Sequence, residues 1–412
     1  MGTSEESLSL IMMKLLDGCF DKKRKTKAPR KIRLTKDKPI PDLISQTIEP
    51  EDPISLDKEL DKQNSSQLLK HEIFTPSGED QNRPVDELIN PIEDDNFNLF
   101  KNNPLSFKSL ETILCIKHLH SQNDVWSPLE LKDKRIVTGG SDGSISICSI
   151  DYENKTYTVD IKHENAHFNS VISLCELDDG KLVSASYDMT IKVWSINENN
   201  LELIKTIEGK NMINPIWKVI KLTNNRFASC STDGIIKVFN SETYEKIASM
   251  KCSSSVYSIL QLTNKEILVS TCGNRVLYFW DLTTYKKKAT VKGINVVESS
   301  HMIELQNGFL ALSTYSENYP IIIVDPNNYQ IVKEIKNMEF IKSNSSLCTY
   351  DDHSFIYAKG GFFVQFSSTD YEILYASKTE QNLDGYGGIT VADGKYLIIP
   401  NNEQGVNILN PL

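Results

Sequence analysis

The first 104 residues of this 412-residue chain contain no tryptophan and no tyrosine, and they hold nine of its fifteen prolines but only three of its nineteen glycines. Such a segment buries too little apolar surface to offset the entropy of ordering it, so residues 1–104 are expected to form a largely disordered N-terminal arm. The eight cysteines include no Cys-x-x-Cys pair and the seven histidines show no zinc spacing, so no metal and no cofactor is expected. Cys115, Cys148, Cys175, Cys230 and Cys272 fall in or beside predicted strands and read as reduced core residues of a cytoplasmic or nuclear protein. The chain has no signal peptide and no apolar run of about 18 residues, which predicts neither secretion nor a membrane span. The Asn-x-Ser/Thr triplets at Asn64, Asn154 and Asn344 are then chance matches. A net charge of −10 carries no overall nucleic-acid signature.

Three features of the arm are chemical. Thr3 and Glu6 have capping-box spacing, and Leu8, Ile11, Met12, Leu15 and Cys19 recur at helical intervals, which predicts a short helix over residues 4–17. It either docks in a partner's groove or packs on its own chain. Residues 22–38 carry ten basic side chains and one acid, with Lys22, Lys23, Arg24, Lys25, Arg30, Lys31 and Arg33 as the candidate nuclear localisation signal or anion contact. Nucleic acid is expected, if at all, through this run. Residues 42–95 then carry fifteen acids against four bases, the pattern of a solvated linker, of a screen for the basic run, or of a contact for a basic partner. Gly2 lacks the Ser or Thr four positions on that myristoylation favours.

From about residue 105 the pattern changes. Residues 171–197, VISLCELDDGKLVSASYDMTIKVWSIN, read as three short strands separated by Asp178-Asp179-Gly180 and Tyr187-Asp188-Met189. At the register of Leu177 the unit returns at Leu131, Leu222, Leu262, Leu305, Tyr350 and Val391, with spacings of 46, 45, 40, 43, 45 and 41 residues. A period of ~40–45 residues with several short strands per unit predicts the blades of a β-propeller. Fold class is therefore all-β, residues 105–412 forming a ring of four-stranded blades; seven is the count, six and eight its neighbours. Leu110–His118 has strand composition without a blade of its own, and the last blade ends at its third strand, so this segment is expected to supply the missing outer strand and close the ring.

These residues resemble the WD-repeat β-propeller family. Blade two carries the resemblance best, with Ala166-His167 where the family has Gly-His, and with Ser184, Asp188 and Trp194 at the family's spacing. Blade four keeps Phe279-Trp280-Asp281-Leu282. Blades one and three keep Asp142 and Asp233, and the strand hydroxyls Thr138 and Ser229, but place Cys148 and Phe239 where Trp would stand. Blades five to seven keep the period and lose the motif.

The resemblance decides between two readings of His167, Ser184 and Asp188. Those residue types perform acyl transfer when an exposed Ser meets its base, but the family implies that, with Trp194, they form a buried structural hydrogen-bond chain. Gly139-Gly140-Ser141-Asp142-Gly143 is likewise a repeat turn and not a phosphate loop, since Ser186–Met189 and Ser231–Gly234 repeat it. No adjacent arginine pair exists, which removes the signature of phosphoinositide-binding propellers.

The family also implies that the residue five places before the register lines the top of the ring. Those places hold Trp126, Ile172, Trp217, Tyr257, Ser300, Ser345 and Tyr386. Tyr386, Trp126, Trp217 and Tyr257 then form an aromatic arc that Tyr187 completes where Ile172 interrupts it, a candidate partner-binding site. The expected role is a non-enzymatic protein-interaction scaffold working with other proteins in a multiprotein complex, with no small-molecule substrate. Two narrower versions are a ubiquitin-ligase substrate receptor and a nuclear or nucleolar assembly factor using the basic arm. Against the first, Trp280-Asp281-Leu282-Thr283 lacks the arginine that the cullin-adaptor-binding motif carries.

Overall fold

The structure is a computed structural model that describes residues 111–410, apart from 122–124, 209–213, 295–300, 315–320, 336–344, 360–361, 379–387 and 402–403. The expected helix, basic run and acidic tract, with Ser300 and Tyr386, lie outside the described residues.

Blade two shows why the repeat folds as it does. Its strands are Val171–Glu176, Leu182–Ser186, Thr190–Ile196 and Leu201–Glu208, paired antiparallel in that order from the central channel outward. The second strand, LVSAS, is buried along its whole length, and so it tolerates only small or apolar side chains. The outer strand is exposed from Glu202 to Lys205, Leu203 and Ile204 included. A tight turn links the first two strands: Leu177 N–H donates to Lys181 O at 2.8 Å, and Gly180 takes a φ of 82°, open to glycine at little cost. The same closing bond recurs at Leu131, Leu262 and Leu305, three of the residues that set the register.

Among the described residues the strands make seven four-stranded sheets, the expected seven blades. Each packs its apolar face on the next, so the core is a series of seams. Leu131, Val137 and Ile145 of blade one meet Leu174, Leu182 and Trp194 of blade two; Val183, Ile191 and Val193 of blade two meet Val219, Phe227 and Phe239 of blade three. Each fully buried Leu, Ile or Val contributes ~1.5–3 kcal/mol. A repeat that cannot bury both faces alone is thereby stable only in the ring.

The ring closes as expected. Glu111–Ile116 is the outer strand of blade seven, antiparallel to Val406–Asn410, with Thr112 opposite Leu409 and Ile116 opposite Val406. Ile116 is completely buried among Val125, Ile136, Ile398 and Ile408, joining both ends of the ring in one cluster. Asn401 Nδ2 donates to Ile116 O at 3.1 Å, and Gly405 lies so near that a Cβ there would sit 2.0 Å from that oxygen.

The lower rim, where the first and second strands turn, is stitched from blade to blade. Asp393 N donates to Glu130 Oε1 (2.7 Å), Lys132 N to Glu176 Oε2 (2.8 Å), Thr223 N to Gln261 Oε1 (2.9 Å) and Thr263 N to Glu304 Oε2 (2.6 Å). Lys221 pairs with Asp178 at 2.7 Å, and Gln306 donates to Asp352 at 2.7 Å. The acceptor or cation in five of these six seams is the residue just before the register position, so the repeat places the clamp. Among the described residues no helix is long and apolar enough to cross a membrane.

Candidate interaction site

The upper rim is aimed by irregular backbone. In blades two, three and four the pairing between the first two strands skips Ile172, Trp217 and Tyr257, each the extra residue of a β-bulge. A bulge twists its strand and re-aims the side chain. In blade one the irregularity falls after Trp126, at Ser127 with a φ of 43°.

Four aromatic rings meet there in succession. Trp126 and Tyr187 have centroids 6.1 Å apart at 73°, Tyr187 and Trp217 5.3 Å at 83°, and Trp217 and Tyr257 5.7 Å at 82°. All three pairs are edge-to-face, the arrangement that the aromatic quadrupole favours. Tyr187 closes the gap at Ile172 because its turn and the neighbouring loop are bonded together, Tyr187 N to Ser170 O at 3.1 Å. The rings are not freely exposed: Trp126 is 9% exposed, and the other three are half-buried. Phe168, in the loop entering blade two, is 98% exposed.

Beneath this rim lies the polar chain of blade two. Trp194 Nε1 donates to Ser184 Oγ at 2.8 Å; Ser184 Oγ lies 2.7 Å from His167 Nε2, and His167 Nδ1 lies 2.9 Å from Asp188 Oδ2. Asp188 also accepts from Thr190 Oγ1 and from Phe168 N–H. With Nδ1–H donating to the Asp188 carboxylate, Nε2 accepts from the Ser184 hydroxyl, and every member is satisfied. Burial pushes the His167 pKa down against the pull of Asp188, so the imidazole is neutral. Burial acts the other way on Asp188, but its bond to His167 and then those from Thr190 hold the carboxyl well below the usual range. Ser184 is fully buried and its hydroxyl engaged on both sides, an arrangement that anchors a loop and presents no nucleophile.

The family model described as "WD domain, G-beta repeat" matches residues 159–195, from the outer strand of blade one to Trp194 of this network. The chain carries a WD repeat within a seven-bladed β-propeller. Among curated proteins it is similar to "Putative E3 ubiquitin-protein ligase LIN-2" of Lotus japonicus, 26% identical over 196 residues, which is 47% of this chain and 12% of the relative. It is also similar to "U3 small nucleolar RNA-associated protein 15 homolog" of Xenopus laevis, 34% identical over 105 residues, 26% of this chain and 20% of the relative. The chain thus spans a fifth or less of either relative's length.

A second polar network joins Thr138 and Asp142 of blade one through His120, a residue outside the motif read from the sequence. His120 Nε2 lies 2.9 Å from Thr138 Oγ1 and Nδ1 lies 2.6 Å from Ser144 Oγ, which donates to Asp142 Oδ1 at 2.6 Å. Asp142, though partly buried, is held well below the usual carboxylate pKa by His120, Ser144 and Ser121. The spacings were legible: His120 precedes Thr138 by 18 residues as His167 precedes Ser184 by 17. In blade four Trp280 Nε1 donates to Ser270 Oγ at 2.9 Å, and Cys252 takes the histidine's place, 3.9 Å from that hydroxyl. Burial pushes the Cys148, Cys175 and Cys348 thiols up to about 12, as inert core groups. Phe168 had no periodic signal, since loop residues between repeats are not ordered by the strand pattern.

Proposed function

We propose that this propeller is a non-catalytic scaffold that holds a peptide or loop of a partner protein across the top rim of blades one to four. The observation that carries the reading is the unbroken succession Trp126, Tyr187, Trp217, Tyr257, with the exposed Phe168 above the second blade. Rings fixed edge-to-face lose little further freedom when a partner covers them, and a well-buried aromatic anchor is worth ~2 kcal/mol or more. The test compares partners captured by the intact chain with those captured by a Trp126→Ala/Trp217→Ala/Tyr257→Ala variant that melts as a single cooperative unit. Specific partners that vanish with the variant support the rim; partners captured equally well by both move the site to the arm or the outer strands.

The similarity to the Lotus and Xenopus proteins favours two finer versions, a substrate receptor in ubiquitin transfer and a nucleolar assembly factor. A nuclear address would accompany the assembly-factor version. Deleting residues 22–38 separates them: loss of nuclear accumulation supports the assembly factor, and unchanged distribution counts against it.

A further inference from the structure

Three polar groups at the top of the seam between blades three and four lack a matched partner. Trp217 Nε1 is buried with no hydrogen-bond partner, whereas Trp126 Nε1, at the same place in blade one, donates to Ser141 Oγ at 3.0 Å. Thr232 stands where Ser141 stands, and its Oγ1 is likewise buried without a partner. Lys218, the next residue along, reaches across the seam to Ser258 Oγ at 3.3 Å, and among the described residues no carboxylate stands within ion-pairing distance of it. Burial lowers its pKa, with the neighbouring Cys230 opposing.

The three groups share one place. The Trp217 ring meets the Tyr257 ring, Lys218 meets Ser258, and Ser255 Oγ donates to Thr232 O at 3.1 Å, so all three residues of blade three face the same short stretch of blade four. An indole N–H and an ammonium can only donate, and a hydroxyl can donate as well. What this corner lacks is an acceptor, and an anionic acceptor at that, because a partly buried ammonium without a counter-charge is costly.

Resting on the reading of the top rim as a peptide site, we propose that this corner is a subsite for a carboxylate side chain of the partner, an Asp or Glu flanked by an apolar residue that lies on Trp217 and Tyr257. Lys218 is the counter-ion, and the two rings form the apolar wall that shields the pair from water. The chemistry selects acidic peptides, although the chain itself carries a net charge of −10 and would repel them at long range. A local cation beneath aromatic rings therefore supplies specificity more than association rate.

The probe is a random dodecamer phage-display library selected on the full chain, followed by synthesis of the selected peptides with each acid replaced by its amide. The expected result is that Asp or Glu recurs beside an apolar residue. Its replacement should weaken binding to the parent about tenfold or more and weaken binding to Lys218→Met little, the signature of a direct pair in a double-mutant cycle. Lys218→Met should melt no lower than the parent, since it replaces a buried charge with an apolar group of similar length, and Lys218→Arg should retain the acid dependence in part. Selected peptides without acids, or an amide replacement that costs the same in the parent and Lys218→Met, overturn the subsite. If such peptides still lose binding with Trp126→Ala and Tyr187→Ala, the rim reading stands and only the carboxylate inference falls. Indifference to those changes too, or no peptide above background, counts against both.

Discussion

At six seams among the described residues the lower rim ends in a backbone N–H, an amide or an ammonium matched to an oxygen of the adjoining blade. The upper rim of the same blades ends differently: the indole of Trp217 and the hydroxyl of Thr232 are buried with no partner, and Lys218 has only a serine hydroxyl. Both rims come from one repeat. A rim stitched at seam after seam by its own chain serves cohesion, and a corner with surplus donors beside stacked rings has capacity for another molecule.

The largest test of this contrast is closure, on which both rims depend. Ile116→Pro removes a fully buried side chain and forces a proline into the strand that completes blade seven, and it should cost ~3 kcal/mol or more and lower the melting temperature of the whole ring. Melting like the parent would mean that the ring is held without this strand.

Next comes the polar chain beneath the upper rim. Ser184→Ala leaves His167 Nε2 and Trp194 Nε1 without their partner, and it should destabilise by ~1–3 kcal/mol in chemical unfolding. The same chain sets a pH dependence. Asp188 and His167 both have lowered pKa values in the fold, so the unfolded chain binds more protons and acid must weaken the structure. The contribution is full above the ordinary histidine value of 6.5, declines as pH falls below it, and declines again below the ordinary carboxylate value of 3.8. Asp188→Asn should flatten the lower part of that profile; an unchanged profile would remove Asp188 as its source.

At the lower rim, Gln261→Ala deletes bonds to Thr223 N, Thr223 Oγ1 and Lys265 O, and should cost ~1 kcal/mol while leaving peptide binding at the upper rim unchanged. The smallest effect sharpens the contrast within the upper rim itself. Trp126→Phe loses a bond to Ser141 and should cost ~0.5–1.5 kcal/mol, whereas Trp217→Phe removes an N–H that has no partner and should be close to neutral. Equal costs would show that the two indoles are in equivalent environments after all.

Much of this was legible from particular residues. The spacing of Leu131, Leu177, Leu222, Leu262 and Leu305 marks the turn that closes each inner hairpin, because that turn must recur wherever a strand of fixed length reverses. Trp126, Tyr187, Trp217 and Tyr257 were legible as one arc because a fixed register puts equivalent residues at equivalent heights. Their depth was not: whether a ring packs against the next blade or stands clear depends on the bulge beneath it and on side chains some forty residues away. His120 escaped notice because no small residue precedes it as Ala166 precedes His167, although its distances to Thr138 and Asp142 repeat the blade-two pattern.

By itself, the order of residues determined the strands, the turns, the number of blades and the strand that closes the ring. These follow from local propensity and from a period that leaves each repeat with two apolar faces to cover. Only the tertiary structure decided which polar groups are satisfied. The partner of Glu176 is Lys132 and that of Gln261 is Thr223, each on the preceding blade, whereas Trp217 meets the Tyr257 ring and Lys218 finds only the Ser258 hydroxyl on blade four. Satisfaction across a seam is a property of two repeats packed together, and neither repeat's sequence contains it alone.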